Sequence, residues 1–243
     1  MLRVKNEERF IRKCIQGIVG VFDEIVVIDN GSTDSTNAIL RELSESDELR
    51  DRLKIHQYPF SIARCGPEHA ATNEFSLSSL AYYYNWCLSK CKYSLVVKWD
   101  ADMYSPSATR LELRDRLSDI AREHVFVLFP IQTMYLDREG KAYRACNEVN
   151  AEVRAFPNVP YVRFRKAQHW EQLKSDCVIP SITLENITIY EMKDVGQSEF
   201  DHWSTEEFPT ERKKREWENF NKVKHGSLDE NFQRLPEMDL VET

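Results

Sequence analysis

Glycine is scarce in this chain: seven in 243 residues, the first of them Gly17. A glycine-rich phosphate loop near the start, which a sugar-phosphate nucleotidyltransferase would be expected to use, is therefore missing. Long apolar runs are missing as well. No stretch of about 18 such residues exists, so the sequence contains no bilayer-spanning helix. Met1 to Phe10 is charged and lacks the apolar core of a signal peptide. Basic charge is in deficit, with 33 Lys and Arg against 40 Asp and Glu and a net charge of −7. A general nucleic-acid binder leans the other way, so an extended phosphate backbone is excluded as a partner. The six cysteines (Cys14, Cys65, Cys87, Cys91, Cys146 and Cys177) form no C-x-x-C pair and no Cys/His spacing for structural zinc. They read as buried free thiols in a reducing cytoplasm. No internal repeat or low-complexity linker is present.

What remains is an ordinary globular composition, 42% hydrophobic and 30% charged, enough to bury a core. Leu2 to Lys5 reads as a short strand. Phe10, Ile11, Cys14, Ile15, Ile18 and Val19 recur at helical spacing. Glu24 to Asp29 (EIVVID) and Ser94 to Trp99 (SLVVKW) are compact apolar runs of the kind buried on both faces of a sheet. Between them lie a helical stripe through Ala38 to Leu43, a short strand over Lys54 to Tyr58, a loop over Ser61 to Asn73, and a helix from Phe75 to Cys91. Thr109 to His124 predicts a charged helix and Val125 to Phe129 a strand. This alternation indicates an α/β fold with a mostly parallel sheet flanked by helices. The second half is less regular, with short strands predicted over Val153–Phe156, Tyr161–Phe164 and Ile187–Ile189. After Pro209 comes a charged helical tail with Trp217, Phe220 and Val223 on one face. Its run Arg212-Lys213-Lys214-Arg215 reads as a solvated face; attraction to an anionic membrane surface is the rival.

Ligands in an open parallel sheet bind beyond the carboxyl ends of the strands. Two such ends are acidic here: Asp29 after EIVVID, and Asp100-Ala101-Asp102 after SLVVKW. Two carboxylates held that close repel one another, and a divalent cation relieves the conflict. Hard oxygen ligands with open positions suit Mg²⁺ or Mn²⁺, which can in turn hold a diphosphate leaving group. An aspartyl phosphatase also places D-x-D after a strand, but near the N-terminus and with Thr or Val soon after. Here Met103-Tyr104 follows in mid-chain.

Val4-Lys5-Asn6-Glu7-Glu8, then Phe22 through Thr36 (FDEIVVIDNGSTDST), then Lys98-Trp99-Asp100-Ala101-Asp102 resemble, in order and spacing, the family-2 glycosyltransferases of the GT-A fold. The resemblance is strong over residues 1 to about 105, faint from about 150 to 203, and absent beyond. It implies a metal-dependent enzyme that moves a sugar from a nucleoside-diphosphate sugar, most often a UDP-sugar, to an acceptor hydroxyl with inversion. It also implies Mn²⁺ or Mg²⁺ as cofactor and a glycan or lipid-linked glycan acceptor. The setting it suggests is cell-surface polysaccharide synthesis, cytoplasmic or at the inner face of the membrane. A non-catalytic GT-A module that binds nucleotide sugars is the alternative, and the intact D-x-D argues against it. The oligomeric state is left open.

The resemblance assigns residues. Val4, Asn6 and Glu7 would sit beside the nucleoside, with Asp29 accepting from the base; a turn-capping role for Asp29 is the rival. Asp100 would lie near the ribose and metal, Asp102 would be the principal metal ligand, and His202 would complete the metal or diphosphate shell. Asn85 falls where the family has an Arg-Asn pair, with Tyr84 in the Arg place. The stretch through His169-Trp170-Glu171-Gln172 is similar to a family segment bearing the general base, which names Glu171; Glu191, Asp194 and Asp176 are rivals. Lys193 is a weaker candidate for a phosphate, and Trp170, Tyr190 and Trp203 for stacking on sugars. The first strand is short beside the family's. The expected organisation is a nucleotide-sugar half over residues 1–105, an acceptor and catalytic half over 106–205 and a helical tail over 206–243.

Overall fold

The computed structural model describes residues 1–197, 200, 201, 203 and 208–235. Strand β1 (Leu2–Val4) leads into helix α1 (Ile11–Ile18), which buries Ile11, Cys14, Ile15 and Ile18 along one stripe. Every position of β2 (Ile25–Asp29) is buried. Ile25 and Val27 enter one core and Val26 and Ile28 another, so that segment must be apolar throughout. Helix α2 (Thr36–Glu45) and β3 (Leu53–Gln57) complete this unit. The predicted loop after it contains a short helix, α3 (Pro67–Ala71), begun by a proline. Helix α4 (Leu80–Leu88) starts later than the apolar pattern suggests. Residues 73–79 close instead into turns, with Ser76 N donating to Asn73 O and Ser79 N to Ser76 O.

The SLVVKW segment is not one strand. It splits at Lys98 into β4 (Leu95–Val97) and β5 (Trp99–Asp100), followed closely by β6 (Met103–Tyr104). Helix α5 (Ser107–Ile120) comes next, then the long hairpin of β7 (Phe126–Leu136) and β8 (Ala142–Pro157). A second hairpin joins β9 (Val162–Lys166) and β10 (Glu171–Ser175). Strands β11 (Ser181–Thr183) and β12 (Ile189–Asp194), helix α6 (Glu211–Lys224) and β13 (Phe232–Arg234) follow.

The first half is parallel as expected, with order β3-β2-β1-β5. The second half is more regular than its sequence suggests. It holds a seven-stranded mixed sheet running β13-β8-β7-β12-β6, with β11 on β7 and β4 on β8. Polar residues that face inward, Gln132, Thr133 and Arg154, break the alternation that would have revealed its strands. Irregular register at Val127/Leu128 and Gln132/Met134 blurs the period further.

The break at Lys98 joins the two sheets. Val97 pairs with Ala155 of β8, while Trp99 pairs with Leu2 of β1. Trp99 fills the junction, fully enclosed and edge-on to Phe22 and Phe129 at 5.9 and 6.5 Å. Trp99→Ala should therefore cost about 3–5 kcal/mol in urea unfolding. A loss under about 1 kcal/mol would contradict this packing.

Candidate functional site: the acidic turn after β5

Asp100 ends β5, and Ala101 and Asp102 make the turn into β6. Met103 of β6 pairs with Glu191 of β12, and Met192 N donates to Asp102 O at 2.9 Å. The turn thus stands between the carboxyl end of the parallel sheet and the edge of the mixed one. Both carboxylates meet cations. Arg3 of β1 binds Asp100 Oδ1 and Arg154 of β8 binds Asp100 Oδ2. Lys193 of β12 donates to Asp102 Oδ2 at 3.1 Å and pairs with Glu191 at 2.9 Å. Burial alone would raise the Asp100 pKa; Arg154, Arg3 and Lys98 overcome it and hold the group well below the usual carboxylate range. Arg3 also sits over the Tyr84 ring, with its guanidinium carbon 3.9 Å from the centroid.

The expected nucleoside edge is built as a clasp between two loops. Asn6, at φ 58°, donates its N–H to Ser32 Oγ and accepts from Thr33 N at 2.8 Å. Glu7 N donates to Thr36 Oγ1 and Glu8 N to Asp34 Oδ2. Val4 O accepts from Asn30 N. Ser32 Oγ is taken up by this clasp, and Asp34 divides its oxygens between Glu8 N and Thr36 N. Asp29 takes over the turn: fully enclosed, it accepts from Gly31 N, Ser32 N and Asn37 Nδ2. The rival turn-making role is thus filled in this conformation. Asn85 pins β9, donating to Phe164 O and accepting from Phe164 N, so no amide edge is left over for a phosphate.

A cavity of 700 Å³ opens beside the turn, lined among others by Lys98, Glu171, Glu191, Trp170, Trp203 and Arg212. Glu171 begins β10, is 8% exposed, and accepts no side-chain hydrogen bond from a described residue. Burial pushes its pKa up, only partly offset by Lys98 and Arg3. Glu191 differs. Burial would raise it too, but Lys193 and Arg154 bring it down to about 2. Asp194, paired with Arg9, and Asp176, paired with Arg165, line other places. Trp203 packs over Gly66, whose φ of 93° and close ring neighbour leave no room for a side chain. Tyr190 packs beside Phe10 and Tyr104 instead. His202 lies outside the described residues. A smaller cavity, 440 Å³, lies at the amino ends of β1, β2 and β4 around Met1, Phe22 and Glu24, away from the acidic turn.

Three features go beyond the sequence reading. Arg3, Arg154 and Glu152 are part of the site, and Arg154 is visible in the sequence only as a charge in the apolar run Val153–Phe156. Arg212 and Lys213 are not simply a solvated face: both line the cavity, while Lys214 and Arg215 stay exposed. The i,i+4 pair Arg212–Glu216 and the Thr210 N-cap are the local signals of this. Cysteine burial also needs correction, since Cys146 and Cys177 are exposed; all six are free. Cys146 lies on β8 and Cys177 in the loop after β10, while Cys65 and Cys91 are half-buried.

Arg154 is one of two cations on both Asp100 and Glu152, so Arg154→Met should lose about 1.5–3 kcal/mol at pH 7. Asp100 and Glu191 have folded pKa values below their unfolded ones, Glu191 at about 2 and Asp100 lower still, so their stabilisation is complete above the ordinary value of 4.5 and fades as pH falls toward 2 and below. The gap between wild type and Arg154→Met in urea should therefore close over that window. A gap that is constant with pH would contradict it.

The N-terminal segment, residues 2–59, matches the family model described as Glycosyl transferase family 2. No curated protein sequence matches the chain significantly. Among solved structures, Staphylococcus aureus TarS residues 1–349 in complex with UDP-GlcNAc is similar at TM-score 0.51 and 16% identity, over 91% of this chain and 71% of that one. The same TarS fragment in another crystal structure gives 0.36 and 21%, over 56% and 35%. Mycobacterium tuberculosis glucosyl-3-phosphoglycerate synthase, solved with Mn²⁺, UDP and glucosyl-3-phosphoglycerate, gives 0.33 and 20%, over 55% and 42%. The chain spans 35% to 71% of the TarS chains it matches. Among the described residues no helix is long and apolar enough to cross a membrane. The chain has the α/β fold of the GT-A glycosyltransferases, and its N-terminal segment carries the sequence pattern of glycosyl transferase family 2.

Proposed function

We propose that this chain is a metal-dependent inverting glycosyltransferase using a nucleoside-diphosphate sugar, with a UDP-sugar favoured, and a glycan or lipid-linked glycan as acceptor. The carrying observation is the Asp100-Ala101-Asp102 turn at the carboxyl end of a parallel sheet, tied through Lys193 and Arg154 to Glu191 and Glu152, which line a cavity together with the buried Glu171. The family pattern over residues 2–59 supports the nucleotide side of this reading. The setting we infer is the cytoplasmic face of cell-surface glycan assembly.

The donor set fits a cation in one way. Both oxygens of Asp100 are taken by guanidinium groups, whereas Asp102 Oδ2 accepts from the single ammonium of Lys193. No group of three His, Cys, Asp or Glu side chains stands ready as a cage among the described residues. A site of one or two carboxylates completed by substrate phosphates and water is what Mg²⁺ commonly uses, and Mn²⁺ shares its preference for oxygen ligands. Asp102 would hold the ion, with His202 as a further candidate ligand. Bound there, the ion would neutralise charge on the departing nucleoside diphosphate.

The remaining steps belong to the chain. Val4, Asn6, Glu7 and Asp29 shape the clasp against which the nucleoside lies. Asp100, kept ionised by its arginines, faces the ribose. Glu171 takes the acceptor proton as the hydroxyl attacks the anomeric carbon from the side opposite the diphosphate. It suits that task better than Glu191, since burial outweighs the pull of Lys98 and Arg3 and its raised pKa makes it the stronger base.

Two variants test the reading in a screen of UDP-sugars with Mn²⁺. Asp102→Ala should remove the Mn²⁺-dependent gain in UDP affinity and reduce transfer at least about 100-fold. Glu171→Gln should lower kcat by about 10²–10⁴-fold with UDP affinity kept. Transfer by Asp102→Ala near the wild-type rate would refute the metal assignment. Full activity in Glu171→Gln would pass the base to another carboxylate.

A further inference from the structure

Helix α6 lies beyond the segment that resembles the family, yet it reaches the acidic turn through charge. Arg212 binds Glu152 Oε1 through NH1 and sits 4.0 Å from Glu191 Oε2 through NH2. Glu152 pairs with Arg154 at 2.9 Å, and Arg154 binds Asp100. Glu191 pairs with Lys193 at 2.9 Å, and Lys193 binds Asp102 at 3.1 Å. Taken in order, Asp100, Arg154, Glu152, Arg212, Glu191, Lys193 and Asp102 alternate in sign and close on themselves through Ala101.

Arg212 is the one member contributed by α6, and it joins the two branches. Its side chain is anchored from behind by Glu216, 2.8 Å from Nε. Glu216 is buried and also held by Lys213. The helix is seated independently of these charges. Phe220 and Val223 are buried against Tyr135, Ala145 and Phe200, and Asn219 donates to Glu148. The arginine is thus presented from a fixed wall, and Glu152 and Glu191 would repel each other without it.

We propose that Arg212 is a positioning residue for the reaction. By closing this ring it fixes Arg154 and Lys193, and through them both carboxylates of the acidic turn, in the geometry that receives the metal-bound diphosphate. The proposal rests on the glycosyltransferase reading above. It adds that the C-terminal helix is part of the working site and not an appendage to it.

The test uses the full chain, UDP as the probe with Mn²⁺ in calorimetry, and kcat and KM with whichever UDP-sugar the screen identifies. Arg212→Gln should weaken Mn²⁺-dependent UDP binding or lower kcat by about 10–100-fold, the range typical for groups that orient metal ligands. Arg212→Lys keeps the charge but not the fork, and should recover most of that loss. Val223→Ala loosens the seating of α6 without touching the ring. It should lower Tm by more than Arg212→Gln does while leaving UDP affinity and kcat within about twofold, as distant core trimming does. Normal UDP binding and kcat in Arg212→Gln would overturn the proposal. So would losses in Arg212→Gln and Val223→Ala that simply track Tm, because those would mark a structural role. A wild-type chain without any affinity for UDP would remove the underlying reading, and the proposal with it.

Discussion

Two carboxylates separated by one residue in a tight turn set the terms for the rest of this molecule. Left alone, Asp100 and Asp102 would repel and at least one would take a proton. The fold prevents this by bringing cations from three separate strands: Arg3 from β1, Arg154 from β8 and Lys193 from β12. Each of those cations would itself be costly to bury unpaired, so each needs a further anion. The requirement spreads outward until it reaches Arg212, which is partly solvated and can end the chain of compensation.

This explains why the two sheets meet where they do. The parallel sheet supplies the strand end at which ligands gather, and the mixed sheet supplies the charged wall that faces it. The switch at Lys98 ties them, with Trp99 sealing the joint beneath the turn. Rigidity below and charge above are thereby separated. Glu171 lines the neighbouring cavity, and burial raises its proton affinity because Lys98 and Arg3 offset only part of that effect.

The first half of the fold is legible in the sequence because its strands are buried on both faces and its helices carry single apolar stripes. Ile25–Asp29 and Ile11–Ile18 are clear examples. The acidic turn is legible for the same reason: a buried strand that runs straight into D-x-D marks a sheet end where two acids crowd together. The second half is not. β8 runs for 16 residues with Arg154 pointing into the protein, which periodicity alone scores as a break. The basic run of α6 reads as a solvated face because half of it is one, and nothing local shows that Arg212 meets an acid as far upstream as Glu152. The resemblance gives Asp29 to a ligand, yet its carboxylate accepts from Gly31 N and Ser32 N within the turn, while Ser32 Oγ and Asp34 Oδ2 accept from Asn6 and Glu8 across the fold. Partnerships made across the fold are invisible to spacing rules.

The most direct measurement of the central claim is a crystal soaked with Mn²⁺ and UDP, with anomalous scattering collected for manganese. The account expects one strong peak within bonding distance of Asp102, about 2.2 Å, and in contact with the diphosphate. Asp100 should remain in the grip of Arg3 and Arg154. A diphosphate bound elsewhere, or bound at the turn with no metal and with Asp102 facing bulk water, would contradict it.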